Sequence, residues 1–309
     1  MKRRTFLQAL LGTGLLGAVN NLQASPLKPL WKEPQALDGD TVVFLSDLHC
    51  NPGGYQAERL RKTVAKVLQM DPLPQQVICL GDLAYLTGQI QEYQYLRPIL
   101  EPLWKAGIEV TLAMGNHDRR EEFATVFPEF AAKSKLKNRH TFVVETPAVD
   151  FIVLDSLQQG EDKSTWITPG TLDDEQRNWL QSELNGRQKP VVVCAHHPIH
   201  ELGIESMLLT CPQCCGYIHG HDHRWRPEWS ILNYKTSLVL RRLCLPSTGH
   251  WGDIGYAVLK IQPDKLVVKL EQDEFYFPEP LPEGEPVPVQ WQMIVDDHKG
   301  EVCTFNLHR

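Results

Sequence analysis

Short apolar runs that stop abruptly at polar residues set the rhythm of this chain. Thr41 to Ser46 is β-branched and apolar, and predicts a strand. Gln76 to Leu80, Glu109 to Met114, Pro190 to Ala195 and Tyr217 to His219 repeat the pattern, as do Leu238 to Leu245, Tyr256 to Ile261 and Lys265 to Glu271. His140 to Glu145 and Asp150 to Leu154 predict the two strands of a hairpin. Helical spacing separates several of these runs. Over Ala57 to Met70, Leu60, Val64, Val67 and Leu68 share one face, and Asp71-Pro72 stops the helix. Gln91 to Lys105 predicts a second helix interrupted by Pro98 and Pro102, and Glu121 to Phe130 a third around Pro128. Leu172 to Leu184 predicts a fourth, with Asp173, Asp174 and Glu175 in its first turn complementing the helix dipole. Strands that alternate with helices early and then follow one another predict an α/β domain with mixed sheets.

The two ends read differently from this middle. Lys2-Arg3-Arg4, the apolar run Ala9 to Val19 and Leu22-Gln23-Ala24 have the three-part build of an export signal peptide over residues 1–24. The run is shorter than the about 20 apolar residues a bilayer-spanning helix needs. Arg3-Arg4-Thr5-Phe6-Leu7-Gln8 resembles a twin-arginine signal, so the expectation is a periplasmic or secreted protein. Residues 25–39, Pro-rich and polar, read as a linker, and 40–275 as the folded domain. Residues 276–309 read as a Pro/Glu-rich connection and a terminal hairpin, with strands over Gln290 to Val295 and Glu301 to Asn306.

Composition narrows the partners. The 309 residues are 42% hydrophobic and 22% charged, an ordinary globular balance. A net charge of -7 argues against general nucleic-acid binding, which needs Lys and Arg against phosphates. The chain is too long for its eight cysteines to form a disulfide scaffold. Cys79 and Cys194 lie in strand-like runs and read as buried hydrophobes. Cys211-x-x-Cys214-Cys215 is open to three readings: a disulfide, a structural zinc site, or a turn of buried thiols. Cys50 reads as a bystander at a loop start. Trp225, Trp229, Trp251 and Tyr234 read as packing residues under loops, with a base- or lipid-binding wall as the alternative. His250 and Asp253 are placed at the border of a cleft.

The chemistry sits where the apolar runs end. Asp47-x-His49, Gly81-Asp82, Gly115-Asn116-His117-Asp118, His196-His197-Pro198 and Gly220-His221-Asp222-His223 each begin just after a predicted strand. Ligand sites of α/β sheets lie beyond the carboxyl ends of strands, so the fold can gather all five. Residues i and i+2 of an extended segment point to one side, which lets Asp47 and His49 grip one ion together. Asp-x-His alone is a common turn. Two adjacent histidines, an Asn-His-Asp run and a repeated alternate spacing, in this order, predict two metal ions held by carboxylate, imidazole and amide.

These motifs resemble those of the calcineurin-like metallophosphoesterase superfamily over Thr41 to Glu271. Leu172-Asp173-Asp174-Glu175-Gln176 with Trp179-Leu180, and Pro246-Ser247-Thr248-Gly249, are similar to the branch of class III cyclic-nucleotide phosphodiesterases and glycerophosphodiesterases. The resemblance implies a four-layer αββα sandwich of two mixed sheets flanked by helices. It implies that Asp47, His49 and His223 bind one metal, that Asn116, His196 and His221 bind the second, and that Asp82 bridges both. His117 becomes the catalytic phosphate stabiliser or proton donor. The choice of His196 over His197 comes from the resemblance. The donor set suits two divalent ions of Mn, Fe or Zn. The implied reaction is hydrolysis of a small phosphodiester by a metal-bridging hydroxide. A phosphomonoesterase, and a metal-binding scaffold without turnover, are the other readings.

Overall fold

The computed structural model describes residues 36–233, 238–276, 298 and 300–308. The signal-peptide segment and the first limb of the expected C-terminal hairpin lie outside them. β1 (Leu37–Leu45) begins inside the segment read as a linker, and its second half, Thr41 to Leu45, is fully buried. Parallel β2 (Leu73–Cys79) and β3 (Glu109–Leu112) follow it on one side. Antiparallel β10 (Gly252–Ile261), β11 (Lys265–Tyr276) and β12 (Val302–Asn306) lie on the other, giving the order β12-β11-β10-β1-β2-β3. A second six-stranded sheet runs β4-β5-β6-β7-β9-β8, from β4 (Phe142–Glu145), β5 (Asp150–Val153), β6 (Val191–Ala195), β7 (Cys214–His219), β8 (Arg226–Asn233) and β9 (Leu238–Cys244). β4 and β5 pair antiparallel as the sequence predicts, and β5, β6, β7 and β9 run parallel.

Three apolar cores account for the layers. The first lies between β1–β3 and the helices α1 (Tyr55–Val67), α2 (Ile90–Lys105), α3 (Arg120–Val126) and α4 (Pro128–Ala131). The second fills the space between the sheets, with Val42, Phe44 and Ile78 facing Phe151, Val192 and Ile218. The third joins β5–β7 to α5 (Asp174–Gly186), α6 (Ile199–Leu202) and α7 (Glu205–Thr210). Helix, sheet, sheet, helix is the expected four-layer arrangement, because each sheet has two apolar faces and each needs a cover.

Several local expectations are corrected. α2 is continuous through Pro98 and Pro102. Both prolines lie four apart on the exposed face, where water can satisfy the carbonyls left without a donor. The third predicted helix splits into α3 and α4 at Phe127, and Pro128 takes the first turn of α4, where its missing N–H costs nothing. Asp173 stands outside α5 as its N-cap, with a carboxylate oxygen accepting the Gln176 N–H. β8 was unforeseen: it carries Pro227 and several polar residues, which an edge strand tolerates. β12 pairs with β11, and the partner expected for it over Gln290 to Val295 falls outside the described residues. All eight cysteines are buried and none is in a disulfide, the Cys211, Cys214 and Cys215 cluster included. It consists of thiols packed where α7 turns into β7.

Candidate metal centre

The carboxyl ends of β1, β2 and β3 lie side by side in one sheet, and those of β6 and β7 side by side in the other. Backbone bonds continue the pairing into the motifs: Asp47 N–H donates to Gly81, His49 N–H to Asp82, and Gly220 N–H to His196. Across the sheets the His196 ring Nδ1–H donates to the Leu80 carbonyl at 2.8 Å. Five of the seven expected ligands sit in the left-handed backbone region: Asp47 (φ 52°), His49 (40°), Asp82 (48°), His221 (70°) and His223 (54°). Each such residue costs about 1–3 kcal/mol. The clustering of that cost at one point marks a site whose side-chain directions matter more than its backbone comfort. The neighbouring glycines make room for it. A β-carbon on Gly220 would fall 1.9 Å from Ser46 Oγ, and one on Gly115 would fall 2.2 Å from Asp82 Oδ1.

The side chains of the seven expected ligands converge. His223 Nε2 lies 3.1 Å from Asp47 Oδ1 and 3.2 Å from His49 Nε2. Asp82 Oδ2 stands 3.4 Å from His49 Nε2 and 3.3 Å from His196 Nε2. His196 Nε2 is in turn 3.2 Å from Asn116 Oδ1 and 3.3 Å from His221 Nδ1. Asp82 thus lies between two groups, one with Asp47, His49 and His223, the other with Asn116, His196 and His221. His117 stands at the half-buried mouth, its ring 4.9 Å from that of His49. Its Nδ1–H donates to the Leu86 carbonyl at 2.6 Å, leaving Nε2 for the cleft. His197 bonds Ser156 Oγ through Nδ1 at 2.7 Å, yet a ring nitrogen stays within 4.8 Å of those of His196 and His221.

Donor chemistry tests whether these residues fit metal ions. The Nδ1 of His49 donates to the Tyr85 carbonyl at 3.0 Å, and that of His196 to Leu80. A carbonyl only accepts, so both rings carry the proton on Nδ1 and turn Nε2 toward the carboxylates. Asp47, His49, Asp82 and His223 bring ligand atoms within 4.8 Å of one another while fully buried. Buried acceptors converging on each other need a cation between them. Burial, helped by His223 and His117 and opposed by Asp82, pushes His49 down to about 3. Burial also disfavours charge on His196, but Asp82 and Asp47 outweigh it and hold that ring up at about 10. The protein thus draws a proton to the place where a cation belongs, and the residues fit a metal pair.

The supporting role of Asp118 went unnoticed in the sequence. The buried Asp118 carboxylate accepts the Gly115, Leu83 and Ala84 N–H groups and the Tyr93 hydroxyl, tying two motif loops together. His250 lies 4.4 Å from the His49 ring, at the border expected of it, whereas Asp253 sits behind the site and accepts the Trp225 N–H. Trp225 is buried and donates to Glu301, Trp229 is exposed on β8 under the Arg241 guanidinium, and Trp251 rests 4.4 Å from the His223 ring. Tyr234 lies outside the described residues. Cys50 is buried, and burial pushes its thiol up to about 12, which makes it inert.

The family model for calcineurin-like phosphoesterases matches residues 41–225. The chain belongs to this family, whose dimetal phosphatases use two divalent metal ions. It is 30% identical over 173 residues to a probable cyclic nucleotide phosphodiesterase of Rhodopseudomonas palustris, a match covering 53% of this chain and 60% of the relative. It therefore spans about three fifths of that relative's length. Among solved structures, a dimetal phosphatase of Danio rerio superposes with a TM-score of 0.58 at 16% identity, covering 74% of this chain and 95% of the other. That likeness establishes the fold.

Proposed function

We propose that the protein is a phosphodiesterase that hydrolyses a small phosphodiester at a dinuclear metal centre. The convergence of His49 Nε2 and His196 Nε2 on one buried carboxylate, Asp82, carries the proposal. In this reading Asp47, His49 and His223 hold one ion, Asn116, His196 and His221 hold the other, and Asp82 serves both. Ions held by these residues would supply Lewis-acid polarisation of the phosphoryl group and activation of water. The chain's own part is orientation and proton transfer. Asp82 Oδ1 accepts the His117 N–H at 2.9 Å, so the loop that carries the acid is registered on the metal-binding carboxylate itself. Protonated on Nε2, His117 donates to the leaving oxygen as the ester bond breaks. Burial excludes water from the ligands and strengthens every charge interaction among them.

Support for a diester comes from the Rhodopseudomonas palustris relative and from the Pro246-Ser247-Thr248-Gly249 segment. There the Thr248 N–H donates to Ser46 and the Ser247 hydroxyl to the Asp47 carbonyl, bracing the first motif. The sequence of residues 1–24 supports export, through the twin-arginine pathway, to the periplasm or beyond. Among the described residues no helix is long and apolar enough to cross a membrane. The test compares hydrolysis of bis-p-nitrophenyl phosphate and p-nitrophenyl phosphate with Mn²⁺. We expect the diester to be the better substrate and His117→Ala to lower its turnover about 10²- to 10⁴-fold with metal still bound. Preference for the monoester would make the protein a phosphatase, and no turnover of either with metal bound would make it a scaffold.

A further inference from the structure

Between β5 and α5 the chain runs through residues 154–173 without regular structure. Segments of about this length inside a compact domain are uncommon and usually functional. This one is pinned to the mouth of the metal centre. Arg119, two residues beyond His117, is 3% exposed. Its guanidinium donates to the carbonyls of Gly160 and Thr165, each at 3.2 Å, and to that of Asp162, while Nε donates to Thr87 at 3.1 Å. The Arg120 N–H donates to the Gln159 side chain, Lys163 pairs with Glu122 at 2.7 Å, and Gly170 N–H donates to Glu201. A buried charge whose donors are spent on one loop's carbonyls fixes the position of that loop.

What the loop presents is Trp166. Its indole is 42% exposed, yet its ring centroid lies 4.8 Å from that of His117 at a 34° tilt. An exposed indole set against a site histidine offers an aromatic face on which a planar group can stack. Ring contacts run from His49 to His117 at 4.9 Å and from His117 to Trp166 at 4.8 Å, so the indole adjoins the residue assigned to the leaving oxygen.

We propose that Trp166 is a specificity-determining residue: its indole stacks the planar ring of a nucleotide-type ester whose phosphate lies at the metal centre. Arg119 is the positioning residue that holds the platform in place. The inference rests on the phosphoesterase reading and names its substrate class. Aromatic stacking on a base is tolerant of base identity and depends on the π face. Glycerol-type diesters have no such ring and gain nothing from the platform.

The experiment uses the full metal-loaded enzyme with bis-p-nitrophenyl phosphate as the reporter. It measures the competitive inhibition constants of adenosine 5′-monophosphate and of inorganic phosphate. Trp166→Ala should raise the constant for the nucleotide about tenfold and leave that for phosphate unchanged. Trp166→Phe should recover most of the loss and Trp166→Leu, which keeps apolar bulk without a π face, should not. Arg119→Met should shift the nucleotide constant in the same direction as Trp166→Ala. Equal weakening of both inhibitors would reduce Trp166 to a prop for His117 and overturn the proposal, as would equal rescue by Phe and Leu. A wild-type enzyme that turns over no phosphate ester would remove the reading beneath it, whereas an active wild type with no nucleotide-selective effect would remove this inference alone.

Discussion

At the scale of single residues, the site is a contest between burial and charge. Asp47 and Asp82 are carboxylates without exposure to water, and burial alone would neutralise them. The imidazoles around them, His223 beside Asp47 and His196 beside Asp82, reverse that and hold both below the usual carboxylate range. The sequence marks these residues well, because a polar group placed straight after an apolar strand has few structural uses. It could not separate His196 from His197 on spacing. Both are buried and adjacent, and the fold gives them different partners: His196 turns to Leu80 and Asp82, while His197 bonds Ser156 and keeps a ring nitrogen within 4.8 Å of those of His196 and His221. Replacing each in turn tests this. His196→Ala should lose bound metal and turnover together, while His197→Ala should keep its metal. Metal analysis of the two purified variants reads the difference, and loss of metal in His197→Ala alone would reverse the assignment. Arg119 and Trp166 escaped notice for a different reason. A lone Arg after a motif and a lone Trp in a polar loop carry no pattern, and only the folded loop brings them together.

Among the elements, what was read correctly follows from burial on both faces. Central parallel strands such as β6 are continuous apolar runs, and no alternation is needed to find them. β8 was missed because an edge strand is released from that requirement. The joints between elements rest on buried ion pairs that the sequence does not announce. Asp155, just past β5, accepts two bonds from the Arg120 guanidinium at the start of α3 and the His140 N–H, while its own N–H donates to Gln176 of α5. Burial opposes the Asp155 charge, but Arg120 outweighs it and holds the carboxyl below its ordinary value. A carboxyl depressed in the folded state contributes stability above its unfolded pKa of about 4 and loses it as pH falls through the folded value. Asp155→Asn should therefore cost about 3 kcal/mol at pH 7, and the gap to wild type should narrow in acid. Denaturant unfolding at pH 7 and pH 3 checks this; a gap that widens in acid would contradict it.

For the whole molecule, the architecture explains why five scattered motifs become one site. β1–β3 and β6–β7 belong to different sheets, yet the packed inter-sheet core of Phe44, Ile78, Phe151 and Ile218 holds their carboxyl ends facing each other. The mixed-sheet α/β domain was legible in the order of strands and helices, and its four layers came from the family resemblance. At the C-terminus β12 pairs with β11, far back in the sequence, and the other expected limb of the hairpin lies outside the described residues. We propose that this gathering makes a two-ion centre with Asp82 at its middle. The most direct measurement is metal content per chain, by mass spectrometry on the purified protein, for the wild type and for Asp82→Asn. We expect a wild type that binds two divalent ions, and an Asp82→Asn protein that is folded but has lost bound metal and phosphoesterase turnover together. An Asp82→Asn protein that retains both ions and wild-type turnover would contradict it.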